Sequence, residues 1–318
     1  MTTFVTGATG FLGGHLVREL IERGEQVRAL ARPTSDVREL VDLGVEIAPG
    51  DLSDDFALAR AAEGCDRVFH LAGLVTHDRR RRGELNEINV EGTRRVLNAA
   101  EPGARVVYVS SVAAVGPAAA LNAPATEDQP FPKRAIGLPY ADSKRAAEAV
   151  VAEAVARGVD VVIANPGFLI GPGDVYKVST WPLAAYLAGK LRFSTDGALS
   201  FTDARDVAAA LPVLADRGRT GERTILANRD GNASWSQFFA RIAAVSGVKR
   251  VVVKFPPPIA IASATIVPWP VRADEVRAAA HWWVYDPAKA ERELDYRPRG
   301  LDEAIEATIA DQQLLART

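Results

Sequence analysis

Three glycines in the stretch Thr6-Gly7-Ala8-Thr9-Gly10-Phe11-Leu12-Gly13-Gly14-His15-Leu16 are spaced to hold a phosphate. The apolar pair Phe4-Val5 precedes them and ends a first strand. Leu16, Leu20 and Ile21 follow at helical spacing, so the glycines sit where a strand turns into a helix. Gly7 permits the tight turn, Gly10 lets a phosphate approach the backbone, and Gly13 lets the helix lie close to the sheet. The free N–H groups and the positive dipole end of that helix make an anion site, to which Phe11 and Leu12 belong. In this setting the pattern points to a dinucleotide rather than to a plain glycine-rich turn.

A second pair with chemical potential lies far downstream. Tyr140-Ala141-Asp142-Ser143-Lys144 opens a long Ala-rich stretch that ends near Gly158. The tyrosine and lysine are four apart, which on a helix places them on one face, one turn from each other.

The elements that must position these groups alternate. Val27 to Ala31 reads as a second strand ending at Arg32-Pro33-Thr34-Ser35-Asp36. In a sheet of this type that end faces an adenosine ribose, where a carboxylate suits a free 2′-hydroxyl and an arginine a 2′-phosphate. Arg32, with Ser35 and Arg38 nearby, points to NADP(H) over NAD(H); a solvated loop arginine is the alternative. Val45 to Ala48 is a third strand, ending in Gly50-Asp51-Leu52. Asp51 and Leu52 suit an adenine amino group and ring, or Asp51 caps the helix through Phe56, Leu58 and Ala62. Arg67 to Gly73 is a fourth strand and its turn, where Leu71 and Ala72 let the cofactor's central sugars pass close to the backbone. His70, inside that apolar strand, reads as a buried, hydrogen-bonded histidine rather than a catalytic one.

His77-Asp78-Arg79-Arg80-Arg81-Arg82-Gly83 reads as a solvated loop, with an anion grip for substrate as the sharper alternative. Ile88 to Thr93 opens a helix through Val96 and Leu97, in which Asn89, a poor helix former, hints at a hydrogen-bonding duty. Arg105 to Val109 is a fifth strand, running into Ser110-Ser111 and on to Gly116. Pro117 to Pro139, rich in Pro and Ala, reads as a loop over the site. Val159 to Ala164 is a sixth strand, leading through Asn165, Pro166 and Gly167 to Gly173, with Pro166 at the cofactor.

This alternation specifies an α/β fold: a doubly wound parallel sheet of the Rossmann type over residues 1–173. Residues 174–318 form a smaller, mixed substrate-binding region, from which a strand at Thr224 to Ala227 returns to the sheet. Trp235 to Val245 reads as a helix. Pro256-Pro257-Pro258 and the apolar stretch Ile259 to Val267 follow, a buried or partner-facing helix by default and a membrane-contact element as the alternative. A C-terminal helix runs from about Ala304 to Leu315.

The bulk composition bounds the partners. With 318 residues, 48% of them hydrophobic, the chain can bury a large core, and a net charge of −2 argues against general nucleic-acid binding. The single cysteine, Cys65, permits no internal disulfide and reads as core filler. The first strand starts near Met1 and no apolar run reaches membrane-spanning length, so the expectation is a cytoplasmic protein without a span or a metal site.

With the glycine turn, Ser111, Tyr140 and Lys144 in chain order, the sequence resembles the extended short-chain dehydrogenase/reductase family, within the epimerase/dehydratase superfamily. The likeness is to its dihydroflavonol-reductase-like branch and covers nearly the whole length. It includes Gly50-Asp51-Leu52, Asn89-Val90-Glu91-Gly92-Thr93 and Tyr285-Asp286-Pro287-Ala288-Lys289-Ala290. The resemblance implies that Tyr140 is the acid/base, that Ser111 holds the substrate oxygen, and that Lys144 lowers the phenol pKa and binds the nicotinamide ribose. It also implies that Asn89 supports the lysine through water. A free tyrosine has a pKa of about 10, so a nearby ammonium favours the phenolate. Relatives often dimerise through the helices that start near Asn89 and Tyr140, so a homodimer is possible by resemblance.

The chain departs from sugar-nucleotide-processing relatives at two places. Their asparagine three residues before the Tyr-Gly-Pro glycine is Phe168 here, before Gly171. Their arginine before a Asp-Val-Ala helix start falls at Leu199-Ser200-Phe201, ahead of Asp206-Val207-Ala208. A diphosphate buried without polar grips is disfavoured, so the expected substrate is a small carbonyl compound or alcohol. Phe168, Leu199 and Trp181 are either its pocket or plain core. The runner-up is a sugar-nucleotide epimerase or dehydratase that retains NAD, and the third reading is a catalytically silent NADP sensor.

Overall fold

The computed structural model describes residues 1–131, 136–175, 179–266 and 271–311. The part of the Pro117–Pro139 loop at 132–135, Val267, and the last residues of the expected C-terminal helix lie outside the described residues. Seven strands form one sheet: β1 (Thr2–Thr6), β2 (Gln26–Ala31), β3 (Glu46–Pro49), β4 (Arg67–His70), β5 (Arg105–Val109), β6 (Asp160–Pro166) and β7 (Arg223–Leu226). They are hydrogen-bonded in the order β3-β2-β1-β4-β5-β6-β7, every pair parallel. Strand order reverses between β1 and β4, the crevice where open α/β sheets take ligands. The expected return of the strand near 224 is observed as β7, which pairs with β6 from Arg223↔Ile163 to Leu226↔Pro166.

The sheet is apolar on both faces because both are covered, as a parallel sheet requires. Val5, Phe69, Val107 and Val109 face α1 (Phe11–Glu22) and α5 (Ala204–Arg217). Phe4, Val68, Val106 and Tyr108 face α2 (Asp55–Ala62), α3 (Gly92–Ala99) and α4 (Pro139–Ala156). A third core lies beyond the C-terminal ends of the strands, where Ile170, Leu183, Phe201, Phe238 and Trp283 pack together. It surrounds a small mixed sheet in which Ala198–Asp203 pairs with Phe168–Ile170, Asn232–Ser234 and Trp282–Trp283. The Pro117–Pro139 segment is tied to that sheet: Ala118 bridges Trp282 and Ala125 bridges Tyr285.

For the apolar stretch from Ile259 the structure removes the buried-helix reading and leaves the partner-facing and membrane-contact ones. The helix α6 (Pro257–Ile266) forms as anticipated, but Ala260 alone among its residues is buried. The reason is positional: it follows a two-stranded ribbon, Phe193–Thr195 with Val253–Phe255, that projects from the third core. The helix expected at Trp235–Val245 is observed as Trp235–Ser246, while the C-terminal helix starts three residues earlier than expected and runs over Leu301–Ala310.

The opening turn closes tightly enough to fix two residue types. Gly7 has φ +77°, and a Cβ there would lie 2.6 Å from the Ala72 amide nitrogen. A Cβ on Gly13 would lie 2.0 Å from the Gly7 carbonyl oxygen, whereas one on Gly14 would meet only the tip of Arg18 at 3.7 Å. Gly13→Ala is therefore expected to cost about 2 kcal/mol or more of unfolding free energy. Gly14→Ala should instead stabilise by about 0.5–1 kcal/mol through helix propensity. Urea denaturation of both variants reads this contrast, and equal effects would show that the turn has slack.

Candidate active site

The glycine turn and the turn after β4 meet at the switch point, since Gly7 packs directly on Ala72. Leu71 N–H donates to the Thr6 carbonyl at 3.1 Å, which keeps the two turns level. Helix α1 starts at Gly10 with no side-chain cap and no acidic residue in its first turn. Its leading amides, from Phe11 and Leu12 onward, thus remain donors for an anion, and no Cβ at Gly10 stands before them. These features fit a dinucleotide pyrophosphate. Leu12 itself turns into the core, while Phe11 sets its ring edge-on to His15.

At the end of β2, Arg32 is exposed and makes no ion pair among the described residues, whereas Arg38 is bound to Asp36. Asp51 lies at the end of β3, but it does not cap α2. That cap is Asp54, whose side chain accepts from Ala57 N–H at 3.0 Å. Asp51 accepts instead from the backbone and hydroxyl of Ser53, and the cap alternative is corrected accordingly. Leu52 is buried against Gly92. Pro166 ends β6, buried in register with Leu226.

Helix α4 brings the remaining residues together. Ser111 caps the short helix Val112–Val115 by accepting from Ala113 N–H at 3.1 Å, and its hydroxyl lies near enough to the Tyr140 phenol to draw the phenol pKa down. Lys144, one turn along, is buried and donates to the carbonyl of Val109 at 3.0 Å, with its Nζ 5.3 Å from the centre of the Tyr108 ring. Asn89 falls in a π-helical turn, Asn86–Glu91, rather than in a regular helix. Its amide accepts from Leu74 N–H at 2.7 Å and donates to Leu74 O and to Ser143 Oγ, the hydrogen-bonding duty its position implied.

The electrostatics correct one expectation. Lys144 does not lower the Tyr140 pKa here; burial dominates and pushes it up to about 12, with the nearby Ser111 hydroxyl opposing. Burial also draws Lys144 down to about 8, opposed by the charge of Glu148. Glu148 lies one turn beyond the lysine and is buried, accepting from Ser110 Oγ at 2.5 Å, Asn165 Nδ2 at 2.7 Å and Arg223 Nε at 2.5 Å. Asn165 also donates to the Ser111 carbonyl at 2.9 Å, so this network holds the backbone of the serine. The spacing 140, 144, 148 was readable as one helix face; the partners were not.

His70 is buried in a relay of neutral groups. Thr93 donates its hydroxyl proton to Asn89 O at 2.6 Å, so at His70 Nε2 (3.0 Å) it accepts. The proton therefore sits on Nε2, and Nδ1 accepts from Thr6 Oγ1 at 2.7 Å, while Thr6 accepts from Ala72 N–H. Burial and the Lys144 charge hold the imidazole down to about 3.

The arginine run is solvent-exposed, as the solvated reading has it, but it is neither an irregular loop nor a free anion grip. It folds as a 3₁₀ turn, Arg79–Arg81, and a short helix, and each guanidinium has a carboxylate: Arg79 with Asp274, Arg80 with Asp78, Arg81 with Glu84 and Arg82 with Asp142. His77, ahead of it, sets its ring edge-on to Tyr140 with centroids 6.2 Å apart, and its Nδ1 is buried without a partner. Nothing local in the sequence marked that position. Phe168, Trp181 and Tyr140 pack on one apolar cluster that contains Leu199, and Phe168 lies edge-on to Phe201 at 5.5 Å. Cys65 is buried, with its thiol pKa raised by burial. Among the described residues no cluster of metal-ligating side chains occurs, and no helix is long and apolar enough to cross a membrane.

Comparison with known proteins matches residues 3–227 to the NAD dependent epimerase/dehydratase family. The chain is 38% identical over 263 residues to the sterol demethylase protein B of Methylococcus capsulatus, covering 81% of this chain and 78% of that protein. It is 33% identical over 318 residues to a Synechocystis sp. protein provisionally assigned as a dihydroflavonol 4-reductase, covering 95% and 92%. The crystal structure of gox2253 superposes with a TM-score of 0.86 at 31% identity, covering 100% of this chain and 99% of that one.

The relay predicts an acid sensitivity. An unfolded histidine takes up a proton below about pH 6.5, but folded His70 resists until about 3, so stability falls as pH drops through this window. The slope is up to about 1.4 kcal/mol per pH unit. Chemical denaturation between neutral and acid pH should show a shallower loss in His70→Asn than in the parent, and identical slopes would rule the relay out.

Proposed function

Because the chain belongs to the NAD-dependent epimerase/dehydratase family, we propose that it is an NADP(H)-dependent oxidoreductase that reduces a ketone or aldehyde, or oxidises the matching alcohol. The observation that carries this reading is the half-buried Tyr140 phenol, with the Ser111 hydroxyl close by and Lys144 one helical turn later. A bound nicotinamide cofactor supplies or removes the hydride. The protein does the rest. Ser111 orients the carbonyl oxygen by hydrogen bonding. Tyr140, protonated over the whole neutral range, is in its donor form and gives its proton to that oxygen. Lys144, drawn down to about 8 on the same helix face, is the buried amine from which the phenolate left behind regains its proton.

The substrate class follows from the walls. Phe168 and Leu199 stand where sugar-nucleotide relatives place polar grips, and both belong to the apolar cluster on which Tyr140 packs. The relatives named above refer to a sterol and a dihydroflavonol, ring compounds without a diphosphate, which supports a largely apolar carbonyl substrate here. Exposed, unpaired Arg32 supports the 2′-phosphate of NADP(H).

Two measurements test this reading. Tyr140→Phe should lower kcat by about a hundred- to ten-thousand-fold in an NADPH-coupled screen of ketones and aldehydes, while NADPH still binds. An unaffected rate would exclude Tyr140 as the proton donor. Arg32→Ala should weaken NADPH binding by about tenfold or more and leave NADH unchanged. Equal affinity of the parent for both coenzymes would remove the arginine argument.

A further inference from the structure

We propose that the face built from Phe193, Val251, Val253 and the exposed side of α6 docks on an anionic lipid bilayer. The paired strands Phe193–Thr195 and Val253–Phe255 are in register Val253↔Phe193, so these two side chains stand side by side on one face of the ribbon. Phe193 is 58% exposed, Val253 is also exposed, and Val251, two residues before it, is 84% exposed. The chain continues straight into α6, ten residues without a charge, on which Ile259 and Ile266 are exposed. Single apolar residues at a surface are ordinary; five in one projecting unit mark an interaction face.

The charge around this face selects the partner. Lys190, Arg192, Lys249, Arg250 and Lys254 are all exposed, while Asp196 is the one acidic residue in the segments 186–196 and 247–266. A local surplus of four positive charges thus rims an apolar patch on a chain whose net charge is −2. Apolar insertion together with a basic rim is the combination that holds a protein at an anionic membrane surface. A second copy of the chain meeting this face symmetrically would oppose like charges.

The position suits the chemistry. α6 packs on α7 (Ala273–Ala279), which Asp274 ties to Arg79 at 3.1 Å, and Arg272, just before α7, binds Asp78 at 2.6 Å. His77, adjacent in sequence, faces Tyr140. The docking face therefore lies beside the approach to the phenol. Its use rests on the reading that the substrate is apolar and partitions into lipid; the docking itself does not.

Flotation of the full chain with phosphatidylcholine vesicles, with and without phosphatidylglycerol, tests this. Binding is expected only with phosphatidylglycerol, weaker in high salt, and abolished by Phe193→Ser with Val253→Ser. The pair Arg192→Glu with Lys249→Glu, which leaves every apolar side chain of the face in place, should weaken it by about tenfold or more. Thermal midpoint and NADPH binding should be unchanged in both variants. Absence of flotation by the parent, or flotation untouched by the charge reversals, overturns the proposal. So does a dimer in gel filtration that the Phe193/Val253 variant dissociates. Carbonyl reduction without flotation defeats the docking alone, and flotation with Tyr140-independent reduction defeats the catalytic reading alone.

Discussion

The burial of one ammonium group constrains the site. Taking a cation out of water costs several kcal/mol, and Lys144 meets the Val109 carbonyl and the face of Tyr108 in place of solvent. Its charge is favoured by Glu148, which Ser110, Asn165 and Arg223 in turn hold from three different strands or their ends. Helix α4 must therefore cross the C-terminal ends of β5 and β6 at one height. Tyr140, four residues earlier, is carried to the hydroxyl of Ser111 by the same geometry.

A parallel constraint acts on the other side of the crevice. The neutral relay from Ala72 through Thr6, His70 and Thr93 to Asn89 ties β1, β4 and the π-helical turn together. A histidine that cannot charge adds rigidity without adding another cation beside Lys144. Asn89 then clamps Leu74 and reaches Ser143 on α4, so the two halves of the site are joined by uncharged hydrogen bonds.

What was legible in the sequence was local. Gly7 and Gly13 announced a turn in which side chains cannot fit, and the strand–helix alternation follows from periodicity alone. Tyr140 and Lys144 were readable because helical spacing brings them to one face. Which groups meet was not legible. Asp54 rather than Asp51 caps α2 because of where the chain turns, and the arginine run is neutralised partly by Asp142 and Asp274, far along the chain. The phenol pKa rises because burial outweighs a lysine whose amine points to Val109, which spacing cannot reveal. His77 carries no sequence signal because only tertiary packing sets it beside Tyr140.

The strand β7 has a consequence for how such a chain diversifies. Everything between Pro166 and Arg223, including Phe168, Trp181 and Leu199, leaves the central sheet and comes back to it on adjacent strands. This segment, helix α5 included, is closed at both ends by adjacent strands of the sheet. Residues can be inserted or exchanged there at little entropic penalty, since closure cost grows only slowly with length. This segment is thereby free to change while Tyr140 and Lys144 on α4 stay put.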